Sequence, residues 1–178
     1  MIISFNCEKL LKKRGLIFAT FGLMKKLFLL ICLLCSIAGQ SQIKLYRGDN
    51  KFDSDIAYTI DNGTVFHGDN RFSQNIYYTI SDDKVYLGRS TMTFDCLYTV
   101  KNNKVYKGDS SFSSDIIYTI EEGKVYRGNS TFSSECILTF EDDNIYMGSS
   151  TFSSDLLFTI SGENYLSIAL LACIVGTY

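Results

Sequence analysis

The chain of 178 residues contains no proline and no tryptophan, and its single histidine is His67. Average usage would place about nine prolines in this length. Because proline cannot donate a backbone hydrogen bond, its absence favours a structure in which nearly every N–H belongs to a β-ladder. One histidine rules out a multi-histidine metal site, and six cysteines are too dilute for a small disulfide scaffold. The 46% of hydrophobic residues excludes a disordered chain.

The chain also lacks an excess of basic residues once its beginning is set aside. Six of the 17 lysines and arginines precede Gln40, but only one of the 19 acidic residues does. The remainder therefore carries a formal charge of −7. With no basic surface to follow a phosphate backbone, nucleic acid is not an expected partner.

The beginning of the chain has the pattern of a secretory signal peptide. Met24-Lys25-Lys26 is basic, residues 27–38 are apolar, and Gly39 is small. The apolar run is shorter than the roughly 20 residues that a membrane helix needs. We expect residues 1–39 to be a signal-peptide region with translation starting at Met24, and the product to be periplasmic, outer-surface or extracellular. Anchoring by an uncleaved N-terminal segment is the alternative.

Residues 40–164 form the main domain, which is one 20-residue motif written six times without insertion or deletion. Positions shared by the units are called columns here and are named by their first member. The Gly48 and Thr59 columns are invariant, the Tyr46 column is always aromatic, and the Phe52 column is phenylalanine except at Met92. Repeats of fixed period decide the architecture. The units are 45–64, 65–84, 85–104, 105–124, 125–144 and 145–164.

Each unit contains two strand signals separated by turns. The longer is rich in β-branched and aromatic residues, as in residues 115–120, and the shorter resembles Val125-Tyr126-Arg127. The constant unit length predicts an all-β fold, a β-solenoid of six coils with two short strands per coil. The Asn62-Gly63 pair is a hairpin signal, and it favours the alternative, a stack of antiparallel hairpins or a small propeller.

The apolar columns predict the core of such a solenoid. The Ile56, Tyr58 and Ile60 columns should face inward or into another apolar layer, and the Ala57 column points the opposite way. Val125 should be inside and the Arg127 head in solvent. Cys96 and Cys136 replace aliphatic residues of the Ile56 column. In a solenoid they would lie two coils apart in one ladder, at about 9.6 Å. This is too far for a disulfide, so we expect both to be unpaired and buried. The apolar residues 165–178 are expected to cap the open end of the solenoid.

No column combines a nucleophile, a base and a cleft, so we assign no catalytic, cofactor-binding or metal-ligating residue and expect no enzyme. His67 shares its column with Arg47, Leu87 and Met147, which indicates a surface position. The Thr59 column predicts a hydroxyl ladder within the sheet rather than an ice-binding face. The carboxylates of the Asp55 column bond turn N–H groups or, alternatively, hold Ca²⁺ between coils together with Asp49, Asp69 and Asp109.

Residues 104–120, KVYKGDSSFSSDIIYTI, resemble the tandem repeats of exported bacterial proteins of uncharacterised activity. The resemblance covers residues 45–164 and implies no functional site. We therefore expect an exported, non-enzymatic structural or adhesive protein that offers a repeated β-surface to an extracellular or cell-surface component, and self-association stays open. The alternative is a module that binds glycans or cell surfaces through its Tyr and Ser/Thr columns.

Overall fold

The computed structural model describes residues 42–163 and 166–176, which belong to one compact unit spanning residues 41–178. The expected signal-peptide region, residues 1–39, and the expected start at Met24 lie outside the described residues. Within those ranges, no helix combines the length and the apolar character needed to cross a membrane.

The described residues form a closed barrel of twelve antiparallel strands, each paired with its neighbours in sequence. The last strand pairs with the first, Tyr46 lying opposite Thr159, so the ring has no free edge. The strands are β1 (Ile43–Arg47), β2 (Ile56–Asp61), β3 (Thr64–His67), β4 (Ile76–Ser81), β5 (Lys84–Leu87), β6 (Cys96–Lys101), β7 (Lys104–Lys107), β8 (Ile116–Glu121), β9 (Lys124–Arg127), β10 (Cys136–Glu141), β11 (Asn144–Met147) and β12 (Leu156–Ser161).

Two kinds of connection alternate around the ring. A long strand enters the next short strand through a two-residue turn, in which Asn62 (φ 48°) and Gly63 (φ 74°) both have positive φ, as a type I′ hairpin requires. A side chain at Gly63 would also lie 2.7 Å from the carbonyl oxygen of Ile80. At the opposite end, a bend joins each short strand to the following long strand. Each bend contains one turn of 3-10 helix: Asp53–Asp55, Ser73–Asn75, Thr93–Asp95, Ser113–Asp115, Ser133–Glu135 and Ser153–Asp155.

The all-β repeat prediction is confirmed, but the solenoid is wrong. A solenoid would pair members of one column on adjacent strands, whereas here Ile60 pairs with Val65 and Tyr58 with His67. Members of one column are two strands, about 10 Å, apart. The type I′ turns reverse the chain after every long strand, so the units form hairpins that join edge to edge. The hairpin alternative therefore describes the strand pairing, with the stack closed into a barrel.

A β-bulge in each long strand decides which side chains face the interior. Leu45 pairs with Tyr58 but Tyr46 pairs with Ile56, which leaves Ala57 as the extra residue. The shift recurs in the other units. Ala57, Tyr58 and Ile60 belong to the central core, and Ile56 does not. Tyr58 and Ile60 face the interior, as expected, and Ile56 is buried outside the central core. Ala57 lies in the core and not on the opposite face that alternation predicts, because the extra residue interrupts the alternation.

The short strands contribute the most buried column. Val65, Val85, Val105 and Val125 have no exposed surface, and neither do Leu45 and Ile145 in the same column. Arg127 is exposed. The expected orientation of Val125 and Arg127 is confirmed.

The apolar C-terminal segment lies within the barrel and does not cap an end. It forms the helix α1 (Ile168–Val175), whose residues from Ala169 onward are all buried, and it joins the same core as the inward columns. Ser167 caps its first turn by accepting a hydrogen bond from the backbone N–H of Leu170. A helix that is apolar on every side needs apolar surroundings on every side. The closed barrel supplies them, whereas an end cap would leave one side in water.

Candidate functional site

The invariant threonine and glycine columns hold adjacent units together. The Thr119 hydroxyl donates to the carbonyl oxygen of Gly128 at 2.7 Å, and Thr159 donates to Gly48 at 2.7 Å across the closure of the ring. Thr79, Thr99 and Thr139 make the same bond. Thr59, Thr119, Thr139 and Thr159 are buried as expected, and Thr79 and Thr99 are half-buried. The hydroxyls of the bonded threonines reach the bends and do not form a ladder with one another. These two columns serve the fold.

The bends lie against the outer wall of the barrel. The Arg71 guanidinium reaches Asp61, at the far end of β2, at 2.8 Å, and the Lys51 ammonium lies 3.5 Å from the carbonyl oxygen of Ile160. Inside five of the bends, a side-chain oxygen accepts a hydrogen bond from the N–H two positions on, as Ser110 does from Phe112. The accepting residues are Asn70, Ser90, Ser110, Ser130 and Ser150. The bends are thus ordered loops that cover the outward apolar columns.

Each bend exposes the large apolar side chain of the Phe52 column, and the third bend exposes Phe94 (81%) in addition. We call the side chains of the Phe52 column the phenylalanine belt. Its members are between 61% and 78% exposed, although a large apolar side chain is normally buried. Serines and threonines flank them in the exposed bends. The belt consists of Phe52, Phe72, Met92, Phe112, Phe132 and Phe152.

The alternative function requires the tyrosine columns at the surface, but most of their side chains are buried. Tyr46, Tyr86, Tyr106 and Tyr126 are at most 8% exposed, and Tyr58 and Tyr78 lie in the core. Tyr77 is the exposed exception. The exposed aromatic column is therefore the Phe52 column, and the exposed hydroxyls are those of the bends.

His67 is exposed, as its column indicated, and lies at the mouth of the barrel. Its ring stands edge-on to Tyr58 at 6.1 Å between centroids and lies 6.4 Å from Tyr77. Tyr77 in turn contacts Tyr78 at 4.5 Å. This side of the mouth is filled by aromatic rings.

The Asp55 column does not assemble carboxylates. Its members are two strands, about 10 Å, apart in the ring. In the part of the chain that the structure describes, no group of three or more His, Cys, Asp or Glu residues is placed to hold a metal. The carboxylates accept from serine hydroxyls instead: Asp115 from Ser110 and Ser114, and Asp155 from Ser154.

The other acidic column, headed by Asp49, links units electrostatically. Lys44 pairs with Asp69 and Lys84 with Asp109, both at 2.7 Å, and Lys104 donates to Asn129 at 2.7 Å. The hydrogen bond that each lysine donates to its carboxylate raises the pKa of that lysine. Exposed pairs of this kind contribute little individually, but they bind the bends of Asp69, Asp109 and Asn129 to the wall.

Cys96 and Cys136 are free, as predicted, but for a different reason. They lie on β6 and β10, four strands apart around the ring. Cys96 is buried and Cys136 is half-buried, and each thiol faces the threonine of its own unit. A third free thiol, Cys173, lies on α1 among apolar side chains, and this burial raises its pKa to about 12.

The mouth contains a cavity of about 540 Å³ beside the end of α1. Its wall includes Leu138, Leu157 and Val175, with Arg127 and Tyr118 among the polar residues. Neither this cavity nor the belt was predicted from the sequence. The belt had a signal, a phenylalanine repeated among polar neighbours, whereas the cavity depends on a helix whose position the sequence leaves open.

A family model described as "6-fold beta flower protein" matches residues 45–172. No curated protein and no solved structure matches the chain.

Proposed function

The chain belongs to the 6-fold beta flower family, and from this premise we propose that it is an exported, non-enzymatic adhesive or structural module that binds through its phenylalanine belt. The observation that carries the proposal is the exposure of a large apolar side chain at the same position of all six units. These side chains are dispensable for the core, because the barrel and α1 already fill it.

The arrangement of the belt favours a partner with several equivalent contact points. Six similar sites around one barrel convert later contacts into intramolecular ones, so weak individual sites give strong overall attachment. An extracellular or cell-surface polymer has this repetitive character. A second copy of the chain has it too, and would produce self-association through the same residues.

Glycan binding is a second candidate because a serine or threonine directly adjoins four of the five belt phenylalanines: Phe72, Phe112, Phe132 and Phe152. The sugar would stack on Phe52 and its equivalents, and the bend hydroxyls would supply hydrogen bonds. In this hypothesis the sugar stacks on the exposed phenylalanines of the belt and not on the tyrosine columns, because most of those tyrosines are buried.

Replacing the five belt phenylalanines by serine tests the proposal. We expect beads coated with the wild-type protein to adhere to polysaccharide-coated or protein-coated surfaces, and the fivefold variant to lose at least about tenfold in retention. L87S is the matched control, because Leu87 is an exposed apolar residue outside the belt. Circular dichroism would confirm that both variants fold.

Two further readouts separate the partners. Sedimentation velocity detects self-association, and a glycan array detects sugar binding, each of which should disappear in the fivefold variant and persist in L87S. Equal adhesion of the wild-type protein and the fivefold variant would contradict the proposal, as would wild-type protein that adheres to no surface.

A further inference from the structure

The inward Tyr58 column changes its chemistry in the last two units. It reads tyrosine in the first four, Leu138 in the fifth and Phe158 in the sixth. Phe158 preserves an aromatic ring, 6.4 Å from that of Tyr58. Leu138 is smaller than the tyrosine or phenylalanine of the other units, so the mouth has more free space at this unit alone.

The end of α1 does not fill the space beside Leu138. The helix terminus is tied to the neighbouring unit, where the Tyr118 hydroxyl donates to the carbonyl oxygen of Gly176 at 3.1 Å. A cavity of about 540 Å³ results, within the size range of small-molecule sites. Most of its side-chain wall is apolar: Ile137, Leu138, Met147, Leu157 and Val175.

One cation stands at the rim of this apolar space. Arg127 pairs with Tyr118 across β8 and β9, and both therefore face the mouth. Arg127 makes no ion pair with any residue in the described ranges. Burial raises the pKa of Tyr118, and the nearby Arg127 charge acts in the opposite direction. Tyr118 is thus a neutral phenol at pH 7, beside a guanidinium that has no ion-pair partner among the described residues.

We propose that this cavity binds an amphipathic monoanion, a molecule with an alkyl or aryl body and one terminal carboxylate. The body would replace water against Leu138, Leu157 and Val175, which favours apolar groups. The carboxylate would accept two parallel hydrogen bonds from Arg127, the geometry in which arginine recognises planar anions. The site is separate from the phenylalanine belt, which lies on the outer wall.

Octanoate and 1-octanol serve as probes because they share an alkyl chain and differ in charge. We expect isothermal titration calorimetry to show one octanoate site on the wild-type protein, with 1-octanol at least about tenfold weaker. R127Q should bring the two affinities within about threefold of each other while leaving that of 1-octanol unchanged. A merely structural role of Arg127 would not change this ratio.

L138Y restores the residue of the first four units and fills the cavity, so it should weaken octanoate binding at least about tenfold. F158Y is the matched control, since it makes the same restoration outside the cavity and should bind like the wild-type protein. If L138Y fails to fold, M147F closes the opening from the exposed rim and makes the same prediction.

Several results would overturn the proposal. These are no octanoate binding to the wild-type protein, equal binding to the filled-cavity variant, or an R127Q variant that keeps the preference for octanoate. Loss of binding in the fivefold belt variant would locate the site on the outer wall instead. Binding that appears only when residues 177–178 are deleted would show that the cavity is not available in the whole chain.

Discussion

At the scale of single residues, the repeat columns divide into those that build the fold and those that face solvent. The Gly48 and Thr59 columns are explained by one hydrogen bond, which pins each bend to the preceding long strand. Thr59 itself is the exception, because its buried hydroxyl finds no hydrogen-bond partner among the described residues. A buried hydroxyl without a partner costs stability, so the chain contains an internal control for the value of this bond.

The pair T119V and T59V tests the role of the threonine column. T119V removes the hydroxyl that donates to Gly128, and we expect it to lower the free energy of unfolding by about 1 kcal/mol. T59V removes a buried hydroxyl that donates to no described acceptor, so it should be neutral or stabilising. Urea denaturation at constant slope measures both, and equal losses would contradict this account.

At the scale of elements, the bulges and α1 depend on each other. The bulge turns the Ala57 column inward, and the added apolar surface meets the helix. Residues 169–175 are all buried, although an eight-residue helix is too short to be stable alone. The surrounding strands therefore stabilise it, and it in turn fills a ring of twelve strands that would otherwise enclose a void.

The reactivity of the Cys173 thiol tests whether α1 lies inside the barrel. Desolvation raises its pKa from 9.0 to about 12, so at pH 9 it should react with iodoacetamide at least about 100-fold more slowly than the half-buried Cys136. Site-resolved mass spectrometry measures both rates in one sample, with the urea-unfolded protein as the reference for equal reactivity. Comparable rates in the folded protein would place the helix outside the barrel.

The same thiol makes the stability of the fold depend on alkaline pH. The raised pKa means that the folded chain keeps a proton which the unfolded chain loses. The contribution of this proton to the free energy of unfolding is therefore complete below pH 9, and it is lost as the pH rises from 9 towards 12. C173A should flatten this part of the profile.

At the scale of the whole molecule, closure makes the number of units part of the fold. A solenoid is nearly one-dimensional and tolerates the loss of a coil. A closed barrel changes its diameter with its number of strands, and here the interior must hold α1. The Thr159–Gly48 hydrogen bond and the pairing of β1 with β12 also need the sixth unit to meet the first.

Deleting residues 85–104 tests this dependence on number. The remaining units would supply two strands fewer, and we expect the cooperative urea transition to disappear because the smaller ring cannot enclose the helix. Replacing residues 85–104 by a second copy of 105–124 is the control, since it keeps six units and should fold. A five-unit chain that unfolds as cooperatively as the wild-type protein would show that closure is not required.

The amino-acid sequence alone determined the repeat unit, its two strands, the positive-φ turns and the inward Val125, because these follow from local propensity and from side-chain alternation. Only the tertiary structure decided that the hairpins close into a ring, that a bulge exchanges the Ile56 and Ala57 faces, and that the last helix lies inside. Strand pairing and burial arise between residues distant in the chain. For the same reason the belt and the Leu138 cavity became visible as surfaces only in the folded protein.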